Sequence, residues 1–141
     1  MSLVRVLVAE GVECWRRFVS SMLRKVPSFE IICEVSDGLK AVQQAEKLQP
    51  TVVLLDIGLP GLNGIEAGGW IRKLVPETKI VFLSEQFDRD IVEAALNLRA
   101  GGYVLKSDAG RDLVTAIYIV VRGEKFASHQ LACHGLIKVL R

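Results

Sequence analysis

The sequence predicts an α/β domain, an open doubly wound parallel sheet of five strands with helices on both faces. Three observations carry that reading. Short apolar runs alternate five times with segments of three- and four-residue apolar periodicity. One run, "TVVLLD" from Thr51 to Asp56, is apolar on consecutive positions, as a central strand covered on both faces must be. The stretches between runs have the length of helical crossovers, which join parallel strands. With 141 residues, half of them apolar and a quarter charged, the chain is sized for one domain with a substantial core.

Taken in order, Val4 to Ala9 is the first strand and runs into Glu10. Trp15, Phe18, Val19, Met22, Leu23 and Val26 then recur at helical spacing, and Pro27 closes that helix. Ile31 to Val35 is the second strand, and the helix over 38–48 stops before Pro50. After "TVVLLD" the loop "IGLPGLNG" leads into a third helix that Asn63 can cap. Gly68 and Gly69 lie inside it and cost about 1 kcal/mol each relative to alanine, which predicts the least regular helix of the set. Lys79 to Ser84 is the fourth strand. Ile91, Ala94, Ala95 and Leu98 mark a helix that Gly101 and Gly102 end. Tyr103 to Lys106 is the fifth strand, and Leu113, Ala116, Ile117, Val120 and Val121 mark the last helix.

Several function classes drop out. A net charge of +2 is too small to indicate a nucleic-acid surface. Cys14, Cys33 and Cys133 are odd in number and scattered, which argues against a disulfide framework. The longest purely apolar run, Ala116 to Val121, is too short to span a bilayer. The N-terminus lacks the pattern of a signal peptide, so a cytoplasmic location is expected. There is no dinucleotide fingerprint and no Walker-type loop, and "EGVECW" after the first strand lacks a Ser/Thr-rich phosphate cradle. His129, Cys133 and His134 lie close together, but without a partner cluster elsewhere they read as ordinary helix residues before they read as a metal site.

The strand ends are more informative. The first ends in Glu10, the third in Asp56, the fourth in Ser84 and the fifth in Lys106. Five strands suit the order 2-1-3-4-5, and such sheets place their sites beyond the carboxyl ends of the strands. Neighbouring strands are about 4.8 Å apart, so Asp56 would have Glu10 on one side and Ser84 on the other, with Lys106 one strand further. This set suits acceptance of a phosphoryl group on Asp56, with a divalent cation between the acids and the lysine and hydroxyl on the phosphate oxygens. Each residue alone has a plainer reading: Asp56 as a turn residue, Ser84 as a small strand-end residue, Lys106 as a solvated lysine, Tyr103 as a half-buried sheet aromatic.

Asp56 with its "IGLPGLNG", Ser84 in "VFLS" and Lys106 in "YVLKS" together resemble the receiver domain of bacterial two-component response regulators, over residues 3 to about 122. The loop matches the family's D-x-x-(L/M)-P-x-x-x-G. The resemblance implies a CheY-like, flavodoxin-like three-layer sandwich, and the strand order rests partly on it. It also implies that Asp56 accepts a phosphoryl group from a histidine kinase, that Lys106 pairs with the phosphate, and that Ser84 and Tyr103 switch in step. Magnesium would be held by Glu10, Asp56 and the Gly58 carbonyl. The domain would carry only this self-phosphorylation and dephosphorylation chemistry and would not be an enzyme on an external substrate.

One departure stands out. Receivers end the first strand with two adjacent acids, and here the pair is Glu10 and Gly11. Either Glu10, longer than aspartate, replaces the missing ligand, or metal binding is weak and the domain is a pseudo-receiver acting through protein contacts alone. Glu13 could also approach, although a glutamate there is favourable to the helix dipole in any case.

The turn "RGEKFAS" and the segment beyond it resemble the receiver-to-linker junction of the NarL/LuxR group. A receiver over 1–124 and a linker or extra helix over 125–141 are therefore expected, with DNA reached only through a helix-turn-helix domain not present in this chain. Leu131, Leu136, Ile137 and Leu140 give the tail an apolar side that could pack on its own domain, on a second copy in a homodimer, or on that output domain.

Overall fold

The computed structural model describes residues 3–85 and 88–128. Strands β1 (Val4–Ala9), β2 (Phe29–Val35), β3 (Val52–Asp56), β4 (Lys79–Ser84) and β5 (Gly102–Leu105) alternate with helices α1 (Glu13–Arg24), α2 (Gly38–Leu48), α3 (Gly64–Leu74), α4 (Arg89–Asn97) and α5 (Ala109–Val121). All strand pairs are parallel. Strand alternation divides the core. Val6 and Val8 of β1 and Leu54 of β3 pack with Leu23 of α1 and Ile117 of α5 on one face. Leu7, Leu55 and Phe82 pack with Ala41, Ala67 and Ile71 of α2 and α3 on the other. Each residue step along these strands changes face, which is why β3 needs an apolar residue at every position before Asp56.

The sheet has six strands where the sequence predicts five, in the order β2-β1-β3-β4-β5-β6. The sixth, β6 (Phe126–Ala127), is two residues long, so no periodicity announces it. It forms because β5 would otherwise expose its outer edge. Gly102 pairs with Phe126 and Tyr103 with Ala127, and the Ser128 hydroxyl accepts the Leu105 N–H at 2.7 Å. The first residues of the segment read as a linker are thus part of the sheet. His129, Cys133, His134 and the apolar tail residues Leu131, Leu136, Ile137 and Leu140 lie outside the described residues.

Helix α3 is not the irregular element its glycines predict; it runs unbroken from Gly64 to Leu74. Its start is fixed by a capping box, in which the Asn63 side chain accepts the Glu66 N–H and the Glu66 carboxylate accepts the Asn63 N–H. Gly68 serves packing, because a Cβ there would come within 2.9 Å of the Phe82 ring. No helix among the described residues is long and apolar enough to cross a membrane.

Candidate functional site

Register builds the site. Ala9 pairs with Leu55, Asp56 with Leu83, and Ser84 with Leu105, so the residues that end four strands meet on one edge. Glu10 sits one residue past β1, and Lys106 opens the one-turn 3-10 helix Lys106–Asp108 just past β5. The loop after β3 is drawn close by Gly64, where a Cβ would overlap the Asp56 carbonyl oxygen. Only glycine lets the start of α3 lie against the residue it flanks.

All four strand-end residues are buried. Glu10 has no exposed surface, and Asp56, Ser84 and Lys106 are exposed by only 5–6 %. Lys106 Nζ lies 2.6 Å from Glu10 Oε1 and 3.4 Å from Asp56 Oδ1. The ring of Trp15 on α1 faces the same ammonium, 5.3 Å from Nζ to centroid. Glu10 Oε2 accepts the Val12 N–H at 2.9 Å, and Arg16 donates to the Glu10 carbonyl at 2.9 Å. Asp56 Oδ1 also accepts the Gly58 N–H at 3.1 Å. Burial pushes the Glu10 carboxyl above its ordinary value, opposed by the Lys106 contact and the Val12 N–H and reinforced by the Asp56 charge.

Above this layer opens a cavity of about 360 Å³ lined by Asp56, Gly58, Ser84 and Lys106 together with Val12, Glu85 and Asp88. Tyr103 is not half-buried as its plainer reading expects; it is 1 % exposed and packs against Phe82 with centroids 6.4 Å apart. Burial pushes its phenol above its ordinary value, opposed by the nearby Ser84 hydroxyl and reinforced by the Asp88 charge, while the phenol oxygen has no partner in hydrogen-bonding geometry among the described residues. The sequence pattern passed over Trp15, Val12 and Asp88. By spacing Trp15 is only an apolar helix position, yet its place five residues past Glu10 brings it over the lysine. Asp88 caps α4, its side chain accepting the Asp90 and Ile91 N–H groups, and nothing in the apolar pattern singles it out.

The residues do not fit a divalent cation as they stand. Glu10 has one oxygen on Lys106 and the other on Val12 N–H. Gly11 supplies no donor, and a Cβ there would already be 3.1 Å from Pro60 Cδ. No group of three acidic, histidine or cysteine side chains converges on a metal position among the described residues. Asp56 and Gly58 are left as the remaining family positions for a metal. Glu13 is not in this layer; it pairs with Arg17 on the surface.

Comparison with known proteins agrees with this geometry. The response regulator receiver domain family matches residues 6–118. The chain is 32% identical over 138 residues to the transcriptional regulatory protein DegU of Brevibacillus brevis, covering 98% of this chain and 58% of that protein. It is 33% identical over 122 residues to LiaR of Bacillus subtilis, covering 86% and 58%. The chain thus spans a little over half the length of these regulators. Among solved structures, a LuxR-family two-component response regulator from Aurantimonas superposes with TM-score 0.85 at 26% identity, over 97% of each chain. A DNA-binding LuxR-family response regulator from Staphylococcus aureus gives 0.80 at 29%, over 84% of this chain and 99% of that one. The sheet, the buried strand-end residues and these relatives lead to one conclusion: the chain belongs to the response regulator receiver domain family and is related to the DNA-binding regulators of the NarL/LuxR group.

Proposed function

We propose that this domain takes a phosphoryl group on Asp56 from a histidine kinase and passes the change to a DNA-binding output domain. The observation that supports this best is the placement of Asp56, which is buried at the end of the central strand, 3.4 Å from an equally buried ammonium and open to a cavity that also holds Ser84. In the transfer an Asp56 oxygen attacks phosphorus and the phosphorus–nitrogen bond to the donor histidine breaks. The imidazole leaves with the bonding electron pair and takes up a proton. Lys106 neutralises the new phosphate charge, and the Ser84 hydroxyl turns to bind its oxygen. Tyr103, buried beneath that rim, changes rotamer in step with Ser84 in this reading.

The receiver unit comprises residues 1–124 in this reading, and 125–141 begin the path to the output domain, with β6 as its anchored first step. The protein works in the cytoplasm and meets DNA through that other domain. Self-association through the tail is a further expectation. Sedimentation with and without residues 129–141 decides it, and an unchanged mass removes the tail from any dimer.

The main test is incubation with acetyl phosphate and magnesium, read by intact mass. A single phosphoryl adduct is expected, and Asp56→Asn should abolish it. An adduct that survives that substitution would place the acceptor elsewhere.

A further inference from the structure

The pocket holds one more carboxylate–ammonium contact than phosphate acceptance needs. Lys106 is 0.8 Å closer to Glu10 than to Asp56, and Glu10 has no exposed surface. Its second oxygen is tied to the backbone at Val12. Trp15 covers the ammonium from α1, and Pro60 closes the side where an acid at position 11 would enter. We propose that Lys106 is the resident cation of this pocket and that Glu10 is a masked metal ligand, available to a divalent ion only when Lys106 moves away.

The physical basis is competition. A divalent ion at Asp56 meets an ammonium already 3.4 Å from that carboxylate, and it gains no second carboxylate while Glu10 is held at 2.6 Å. The masking rests on these contacts alone and not on Asp56 as the phosphoacceptor.

Binding of Mn²⁺ to the whole chain, followed through the resonance signal of the free ion, tests the proposal without any phosphotransfer. Lys106→Met should bind Mn²⁺ at least tenfold more tightly than the wild type. Glu10→Gln should remove that gain when combined with Lys106→Met, yet alter affinity less than threefold while Lys106 is present. No gain in Lys106→Met overturns the proposal, and so does a tenfold loss from Glu10→Gln alone, which would make Glu10 a ligand already. Circular dichroism verifies that each variant is folded. If Lys106→Met is not, Lys106→Gln provides the second arm, since it removes the charge but keeps a polar group beside Glu10. It should still tighten Mn²⁺ at least tenfold, and adding Glu10→Gln should remove that gain; no gain there overturns the proposal equally. A chain that never takes up a phosphoryl group would fail the phosphoacceptor reading and leave these results standing.

Discussion

Two acid–base pairs lie within a few residues of each other near the start of α1, and their distances are almost equal. Glu10 and Lys106 are 2.6 Å apart, and Glu13 and Arg17 are 2.7 Å apart. Their surroundings are opposite. The side chains of the first pair are exposed by 0 and 4 %, those of the second by 63 and 78 %. The first joins residues from opposite ends of the chain and exists only because the sheet brings β1 and β5 within reach of one another. The second is an i,i+4 contact that α1 would form alone, with the glutamate on the favourable N-terminal side. Equal distances therefore carry unequal consequences. Charges removed from water depend on their partners, whereas charges left in water hardly notice theirs.

Breaking the buried pair should give the largest effect. Lys106→Met leaves Glu10 and Asp56 as two buried carboxylates without a cation, at a cost of about 3–5 kcal/mol near neutral pH, measured by urea denaturation. The cost should shrink in acid, because a protonated Glu10 needs no counter-ion. The wild type carries a smaller version of the same dependence. Burial holds the Glu10 carboxyl above its ordinary value of 4.5, so between that value and the raised one the folded state binds a proton that the unfolded chain has released. Stability contributed by this group therefore falls as pH rises through that window. Denaturation midpoints of the wild type minus those of Glu10→Gln, followed upward from pH 4.5, should decline and then level off. A flat difference would show that the carboxyl keeps its ordinary affinity for protons.

An intermediate case sharpens the contrast. Asn63 and Glu66 satisfy backbone donors at the start of α3 from an exposed position. Asn63→Ala should cost about 1 kcal/mol, more than a surface ion pair and less than a buried one. Because the cap also sets where α3 begins behind Asp56, thermal unfolding of the variant alongside its acetyl phosphate labelling separates stability from positioning.

What could be read beforehand follows the same division between local and assembled features. β1, α2 and β4 keep the limits that their patterns predict, since apolar runs and proline stops are local signals. The convergence of Glu10, Asp56, Ser84 and Lys106 was legible because each residue ends a strand, and strand order does the rest. The hidden features are those that assembly alone creates. β6 depends on an open edge of β5, Gly68 on the approach of Phe82, and the burial of Tyr103 on the layer closing over β5. The Lys106–Glu10 contact belongs to this second kind. Spacing placed both residues at one edge, but only packed geometry shows which carboxylate the ammonium prefers.

The smallest expected effect belongs to the exposed pair and is the most discriminating by sign of salt response. Arg17→Ala should cost about 0.3–0.5 kcal/mol at low ionic strength. At about 1 M salt the screening length drops to about 3 Å, and that cost should vanish. The loss caused by Lys106→Met should largely persist there in a monovalent salt, because an interaction between charges buried 2.6 Å apart is screened far less than one at the surface. Urea denaturation of both variants at the two ionic strengths checks this. If salt erased both losses alike, the Glu10–Lys106 pair would have to be reached by solvent, and burial could not be what separates it from its neighbour on α1.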